Sequence, residues 1–237
     1  MDQQIYIILV AVIIVGGILF FGIYFSKKAI IKRKLKKAIS ERMADFVNGD
    51  IAKVVGKVEY VSKPLVAPLS GRQCAYYHVL VEQKVSSGKS SYWKTLIKKE
   101  KTGTFVIRDG KYCAHINAVN IKSYVVEDRK YRSGFLKDAT DVLEKYLNEH
   151  GIKSENFLGF NKTIRYKEGV LEAGEMIAAM GRGEWKSAAQ EQLPDTYGKV
   201  LVIGSTEKEA VYLSDDPDTV KTTYYRYEDN YAQNNVN

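Results

Sequence analysis

The sequence predicts a mostly β protein of the α+β class, anchored by one apolar N-terminal helix. Three observations support this prediction. Residues 5–25 contain no charge, apolar and polar residues alternate through much of 51–118 and 163–213, and one later segment has the spacing of an amphipathic helix. The chain has 237 residues, of which 45% are hydrophobic and 27% charged, which suits one globular domain with a terminal extension.

The first 25 residues predict a membrane span. As a helix, residues 5–25 would be about 31 Å long, enough for a hydrocarbon core of about 30 Å. A cleaved signal peptide fits less well, because residues 1–4 (MDQQ) have no Lys or Arg, the apolar run is long and no small-residue cleavage site follows. We therefore expect residues 1–4 to lie outside the membrane and 5–25 within it.

A basic juxtamembrane segment follows the span. Residues 27–37 contain no acid and seven cations, namely Lys27, Lys28, Lys32, Arg33, Lys34, Lys36 and Lys37. Because only Asp2 precedes the span, the positive-inside bias predicts a single-pass protein of the cell membrane with its N-terminus outside and its domain in the cytoplasm. These cations are candidate contacts for anionic lipid headgroups, although a topology signal alone also explains them.

The charge distribution excludes a nucleic-acid-binding domain. Of the net charge of +8, the basic segment holds +7 and Asp2 holds −1, so residues 38–237 carry only +2. A domain that neutralises several phosphates needs a basic footprint of its own. We therefore expect membrane lipids and a protein partner, and no nucleic acid.

A stalk helix leaving the bilayer is predicted over residues 26–49. The segment ends at Asn48-Gly49-Asp50, and its apolar residues recur with helical spacing at Ile31, Leu35, Ile39, Met43 and Val47.

Residues 50–222 are expected to form one β-rich domain with one or two helices. Strands are predicted at 51–61, 74–85, 92–100, 104–108, 111–118, 163–172, 175–180, 199–203 and 210–213. We expect 92–100 and 104–108 to pair as a hairpin near Thr102-Gly103, and Asp109-Gly110 to begin another tight turn, giving an antiparallel meander. In the strongest strand, 74–85, one face is predicted to carry Cys74, Tyr76, His78 and Leu80.

One amphipathic helix interrupts these strands. Its predicted N-cap is Asp138, it ends at Gly151, and its apolar face carries Ala139, Leu143, Tyr146, Leu147 and His150. The tail, 223–237, is polar and rich in Asn and Tyr, so we expect it to be disordered.

The stretch 56–84 resembles the opening of the GIDE domain, the membrane-flanking module of the mitochondrial ubiquitin ligase activator family and of prokaryotic membrane proteins. The resemblance rests on Gly56, the loop 64–72 with its A-P-L-S-G run, Cys74, and the later segments 105–109, 168–174, Gly181 and 213–215. It covers roughly residues 50–216. It implies a β-rich domain beside a membrane, joined in eukaryotic members to a second span and a RING finger.

The chain departs from that family pattern in its ligase half. A RING finger binds two zinc ions with about four ligands each, whereas only His115 and His150 follow Cys113 among the Cys and His residues. No second apolar stretch of spanning length follows residue 25. The E3 ubiquitin-ligase activity that the resemblance suggests therefore lacks its zinc ligands in this sequence.

Motifs for catalysis or cofactor binding are not found. The sequence has no G-x-x-x-x-G-K-[ST], G-x-G-x-x-G or H-E-x-x-H, and Ser70 lies in L-S-G-R rather than in a nucleophile elbow. We expect no cofactor and no catalysis by this chain.

A zinc site of Cys74, His78, Cys113 and His115 is disfavoured, because residues i and i+4 of a strand lie about 13 Å apart. Two buried, reduced thiols are expected instead.

The irregular loop 64–72 is the candidate partner-binding site. It combines prolines, apolar residues and a cation, and the candidate contacts are Pro64, Leu65, Pro68, Leu69, Ser70 and Arg72. The alternative is that the loop folds over the sheet as a lid. The predicted function is thus a membrane-anchored, protein-binding scaffold without catalysis. The alternatives are an accessory component acting in trans with a ligase-like or other enzyme, and a sensor of anionic lipid.

Overall fold

The computed structural model describes residues 2–133, 140–155 and 161–222, and it confirms a mostly β fold with one apolar N-terminal helix. The predicted tail and the predicted N-cap Asp138 lie outside the described residues. The strands are β1 (Ile51–Tyr60), β2 (Leu65–Val66), β3 (Gln73–Cys74), β4 (Tyr76–Ser87), β5 (Ser90–Thr102), β6 (Phe105–Asp109), β7 (Tyr112–Asn117), β8 (Ile121–Tyr124), β9 (Arg129–Arg132), β10 (Ile164–Leu171), β11 (Met176–Ser187), β12 (Lys199–Gly204) and β13 (Val211–Ser214).

Two helices precede the strands. Helix α1 spans Asp2–Tyr24, and its stretch Tyr6–Tyr24 has a mean hydropathy of 2.9, long and apolar enough to cross a membrane. Helix α2 spans Lys27–Lys37 and begins at Ser26, whose Oγ accepts a hydrogen bond from the Ala29 N–H. The predicted stalk helix over 26–49 is wrong beyond Lys37, since the segment after it is irregular apart from a 3₁₀ turn at Met43–Asp45.

Five strands close into a barrel in the order β1-β6-β7-β12-β11, with β11 pairing back to β1. The β7–β12 pair is parallel and the others are antiparallel. Strand β1 reaches both neighbours because Gly56 lets it bend, and a Cβ there would lie 2.5 Å from the Arg108 carbonyl oxygen. Large apolar side chains such as Phe105, Ile107, Leu201 and Ile203 fill the interior. Strands β13 and β8 extend the sheet from β11.

A second, antiparallel sheet of four strands has the order β5-β4-β10-β9. Helix α3 (Asp141–Glu149), capped by Thr140, packs on one of its faces through Leu143, Tyr146 and Leu147. The predicted apolar helix face is confirmed for these three residues, whereas His150 is exposed and Ala139 lies outside the described residues. Gly151 follows the helix with a φ of 69°, as its predicted role at the C-terminus requires.

Two predictions about strand pairing are wrong. The segments 92–100 and 104–108 do not form a hairpin, because β5 pairs with β4 in the second sheet and β6 pairs with β7 and β1 in the barrel. The meander is broken at this point, although the predicted tight turn at Asp109-Gly110 is confirmed and joins β6 to β7 as an antiparallel pair. The domain is also not wholly antiparallel, since β7–β12 and β8–β13 are parallel pairs. The chain changes sheets between Thr102 and Phe105, where one apolar core ends and the other begins.

Candidate functional site

Helix α2 is docked on the domain. Its apolar residues Ile31 and Leu35, one turn apart, are 1% and 0% exposed and pack with Val55 and Ala178 beside strands β8 and β13. A stripe at positions i and i+4 needs an apolar partner, and Val55 of β1 and Ala178 of β11 supply it. Helix α2 is therefore packed against the domain and is not a stalk that stands apart from it. Only Phe25 and Ser26 separate it from α1.

Docking changes the environment of the basic segment. Lys32 forms ion pairs with Asp216 (2.9 Å) and Asp218 (3.4 Å), and hydrogen bonding to Asp216 raises the pKa of Lys32. Lys27 and Lys36 also pair with domain acids. Part of the basic charge is thus held by the domain, and headgroup contact by all seven cations stays a prediction.

The remaining cations of the segment differ in their contacts. The Arg33 guanidinium donates to the Tyr24 carbonyl oxygen and stacks on the Tyr24 ring at 3.8 Å, and Lys28 lies over the Tyr124 ring at 4.6 Å. Lys34 and Lys37 border a surface groove beside Met180.

A pocket of about 290 Å³ lies where the start of α2 meets the second sheet. Lys27 and Lys28 form one wall, and His78, Leu80 and Lys98 form part of the other. Burial lowers the pKa of His78, whose ring lies close against Gly169 on the neighbouring strand. The pocket therefore combines cationic side chains with a neutral imidazole at the end of the apolar helix.

A hydrogen-bond chain runs along the base of this pocket. The Tyr76 and Ser123 hydroxyls are 2.8 Å apart, Ser123 Oγ donates to Glu100 (3.3 Å), and Lys27 Nζ donates to the other Glu100 oxygen (3.3 Å). Burial raises the pKa of Tyr76. Ser123 is bonded to a phenol and a carboxylate, which is not the serine–imidazole–acid arrangement of a hydrolase. This series of hydrogen bonds instead links α2 to both sheets.

The loop 64–72 folds over the second sheet as a lid, the alternative to an exposed contact surface. Ala67 and Leu69 are 0% and 4% exposed, and the Leu69 N–H donates to Glu168 Oε1 at 2.9 Å. Leu69 is therefore wrong as an exposed contact residue, because its side chain is part of the core beneath the loop. Pro64, Leu65, Pro68, Ser70 and Arg72 are half-buried. Val66 of the same loop is 58% exposed.

Glu168 under the lid is 1% exposed, and its second oxygen, Oε2, has no hydrogen-bond partner among the described residues. The buried Tyr146 hydroxyl lacks one as well, and burial raises its pKa to about 12. An incompletely bonded buried carboxylate is costly for a fold. The Leu69 N–H therefore has a specific role in holding the lid.

Arg72 fastens the end of the loop to an acidic group. Its guanidinium forms a forked ion pair with Glu172 and lies 3.7 Å from Asp128. Asp215 and Glu175 are near, and burial raises the pKa of both carboxyls, that of Asp215 to about 6. Arg72, which the sequence analysis assigned to partner contact, thus forms its ion pairs within the domain.

The buried Asp215 predicts a pH dependence of stability. Because its pKa in the folded protein is about 6 and its ordinary value is 3.8, ionisation opposes folding. Stability falls as the pH rises from about 4 to about 6 and stays lower above that window. We expect Asp215→Asn, which keeps an acceptor for the Val126 N–H, to remove this fall. The gain above about pH 6 is at most about 3 kcal/mol.

The measurement is urea unfolding of the parent and Asp215→Asn across this range. Nearly equal stability is expected at about pH 3, where the carboxyl is mostly protonated in both the folded and unfolded states. A parent that gains stability relative to the variant as the pH rises would contradict the prediction.

The cysteine and histidine residues do not come together. Cys74 belongs to the core under the lid and Cys113 to a separate cluster with Val200 and Val202. The described residues contain no group of three or more His, Cys, Asp or Glu side chains suited to a metal ion. Burial raises the pKa of both thiols, that of Cys74 to about 11. The prediction that Cys74 and Tyr76 share one face of a strand is wrong. The strand is interrupted at Ala75, and Cys74 lies in the core under the lid while Tyr76 lies in the barrel core.

Segments that carry the GIDE resemblance meet at the lid. Leu69 and Arg72 of the first segment bond Glu168 and Glu172 of the later one. Sequence reasoning did not find the docking of α2, although the Asp residues at 216 and 218 were a possible signal. No family model, curated protein or solved structure matches the chain, so the resemblance rests on these sequence motifs alone.

Proposed function

We propose that the protein is a single-pass membrane protein whose β-rich domain is a non-catalytic binding module held on the cytoplasmic membrane surface. The observation that supports this most is the docking of α2. A flexible linker would let a domain explore tens of ångströms. Here two residues separate α1 from a helix whose residues Ile31 and Leu35 are fully buried in the domain.

This attachment restricts what the module can meet. Partners within its reach are other molecules at the same membrane surface, either lipids or the membrane-proximal part of another protein. The orientation follows from the charge bias, with +7 after the span and −1 before it. Because loop 64–72 is a lid with Leu69 buried beneath it, we do not expect the loop to be the main contact surface. Its exposed apolar residue is Val66.

The test is protease accessibility of the full chain in intact cells. Protease added outside should leave residues 51–216 undigested, and permeabilising the membrane should expose them. The chain should also stay with the membrane after alkaline carbonate extraction, as an integral protein does. Digestion from outside would reverse the orientation, and extraction by carbonate would refute the span.

A further inference from the structure

The second sheet has one covered and one open face. Residues such as Tyr77, Val79 and Val81 of β4 point into the core made with α3 and the lid. The alternate residues of the same strand, His78, Leu80, Glu82 and Lys84, therefore belong to the opposite face. Among the described elements, the start of α2 and strand β8 with the segment after it lie beside one end of that face, at the pocket.

Strand pairing shows which side chains share the open face. Lys98 and Lys167 are opposite Leu80, Arg165 is opposite Glu82, and Trp93 is opposite Lys84. In a β-sheet, directly opposed residues project from the same face. The Arg165 guanidinium lies over the Trp93 ring at 3.9 Å, consistent with this placement.

The open face carries an excess of positive charge. Glu82 pairs with Arg165 at 2.7 Å, and Glu127 pairs with both Lys130 and Lys167 at 3.1 Å. Lys84 and Lys98 are exposed, and within the described residues neither has an acidic partner. Unpaired lysines beside an aromatic ring are typical of surfaces at a membrane–water interface.

The open face begins at the end of the apolar helix. Lys27 and Lys28, the first charges after α1, line the same pocket as Leu80 and Lys98. In the proposed topology these two lysines lie at the level of the headgroups. The open face thus continues from the membrane boundary.

We propose that the open face of the four-stranded sheet lies against anionic phospholipid headgroups of the membrane that holds α1. This inference rests on the proposed function. It names the lipid surface as a partner and places the contact on β4, β5 and β10, outside the basic segment. The contact is made by Lys84, Lys98 and Trp93. The rest of the surface contains Arg165 and Lys167, which are paired with Glu82 and Glu127.

The chain offers two intrinsic fluorophores for the test, since Trp93 and Trp185 are its two tryptophans. Trp93 is on the open face, whereas Trp185 packs against Tyr112 on the barrel and donates its indole N–H to the Phe46 carbonyl oxygen. Variants Trp185→Phe and Trp93→Phe each leave one reporter. The full chain is reconstituted in phosphatidylcholine vesicles with or without phosphatidylglycerol, each containing a lipid with a nitroxide on its headgroup.

We expect the nitroxide to quench Trp93 more than Trp185, and more strongly when phosphatidylglycerol is present. Raising the salt from about 0.1 M to about 1 M shortens the Debye length from about 10 Å to about 3 Å and should reduce the quenching. Lys84→Glu with Lys98→Glu should abolish the phosphatidylglycerol dependence. The matched control, Lys57→Glu with Lys111→Glu on the barrel, makes the same charge change and should retain it.

Equal quenching of both tryptophans, or quenching of Trp93 that ignores phosphatidylglycerol and salt, would overturn the inference. A third result would also overturn the inference, namely a Trp93 that is shielded in native membranes but is not quenched in pure lipid. That result would indicate that a protein lies on this face. Co-flotation of the chain with the vesicles is measured in the same samples. Failure to float refutes the proposed anchoring, whereas flotation without quenching refutes only the lipid-facing sheet.

Discussion

Leu35→Asp should release helix α2 from the domain and lower stability by several kcal/mol. Leu35 is 0% exposed and lies in the cluster of Ile31, Val55 and Ala178. Truncating a buried Leu costs about 2–5 kcal/mol, and a carboxylate adds the cost of an unpaired buried charge. For a domain of this size, we expect the melting temperature of the full chain to fall by about 10 °C or more.

The chain supplies a matched control in Ile39→Asp. Ile39 lies just beyond α2 and is 58% exposed, so the same change should cost less than about 0.5 kcal/mol. Limited trypsin digestion gives a second measurement, because the basic segment is rich in cleavage sites that docking protects. Cleavage within 27–37 should be faster in Leu35→Asp than in Ile39→Asp. Equal melting and equal cleavage would show that α2 is not docked.

Leu69→Asp should have an effect of similar size on the second sheet. The side chain is buried beneath the lid, and the residue's N–H bonds the buried Glu168 carboxylate. An aspartate at this position places another charge in a core that already holds an incompletely bonded carboxylate. We expect a loss of several kcal/mol in the free energy of unfolding.

Val66→Asp in the same loop is the control for Leu69→Asp. Val66 is 58% exposed, and the change should alter stability by less than about 0.5 kcal/mol. Reaction of Cys74 with a thiol reagent gives a local measurement, because Cys74 is fully buried under the lid and burial raises its thiol pKa. Leu69→Asp should speed this reaction and Val66→Asp should not. If both variants melt with the parent, the loop is not part of the core.

The apolar helix and most strands could be predicted from local sequence. The predicted strand 51–61 corresponds to β1 at Ile51–Tyr60, and 199–203 corresponds to β12 at Lys199–Gly204. These predictions hold because hydrophobic periodicity reports which face of a segment is buried. The helix face with Leu143, Tyr146 and Leu147 was predictable for the same reason.

The candidate site was predictable only in part. Loop 64–72 was identified because prolines, a glycine and apolar residues stand together, but composition could not distinguish a contact surface from a lid. The answer depends on Glu168, which is 99 residues from Leu69 in the chain and bonds its N–H. The open face likewise depends on the pairing of β4 with β5 and β10.

The sequence by itself determined the apolar helix, the basic segment after it and the mostly β character of the domain, because each is set by the composition or period of contiguous residues. Tertiary structure alone decided the barrel closure, the parallel strand pairs, the docking of α2 and the burial of Leu69. Each of these joins residues that are distant in the chain. The same amphipathic pattern at Ile31 and Leu35 suits a free stalk or a docked helix, and only the apolar surface of Val55 and Ala178 selects the docked form.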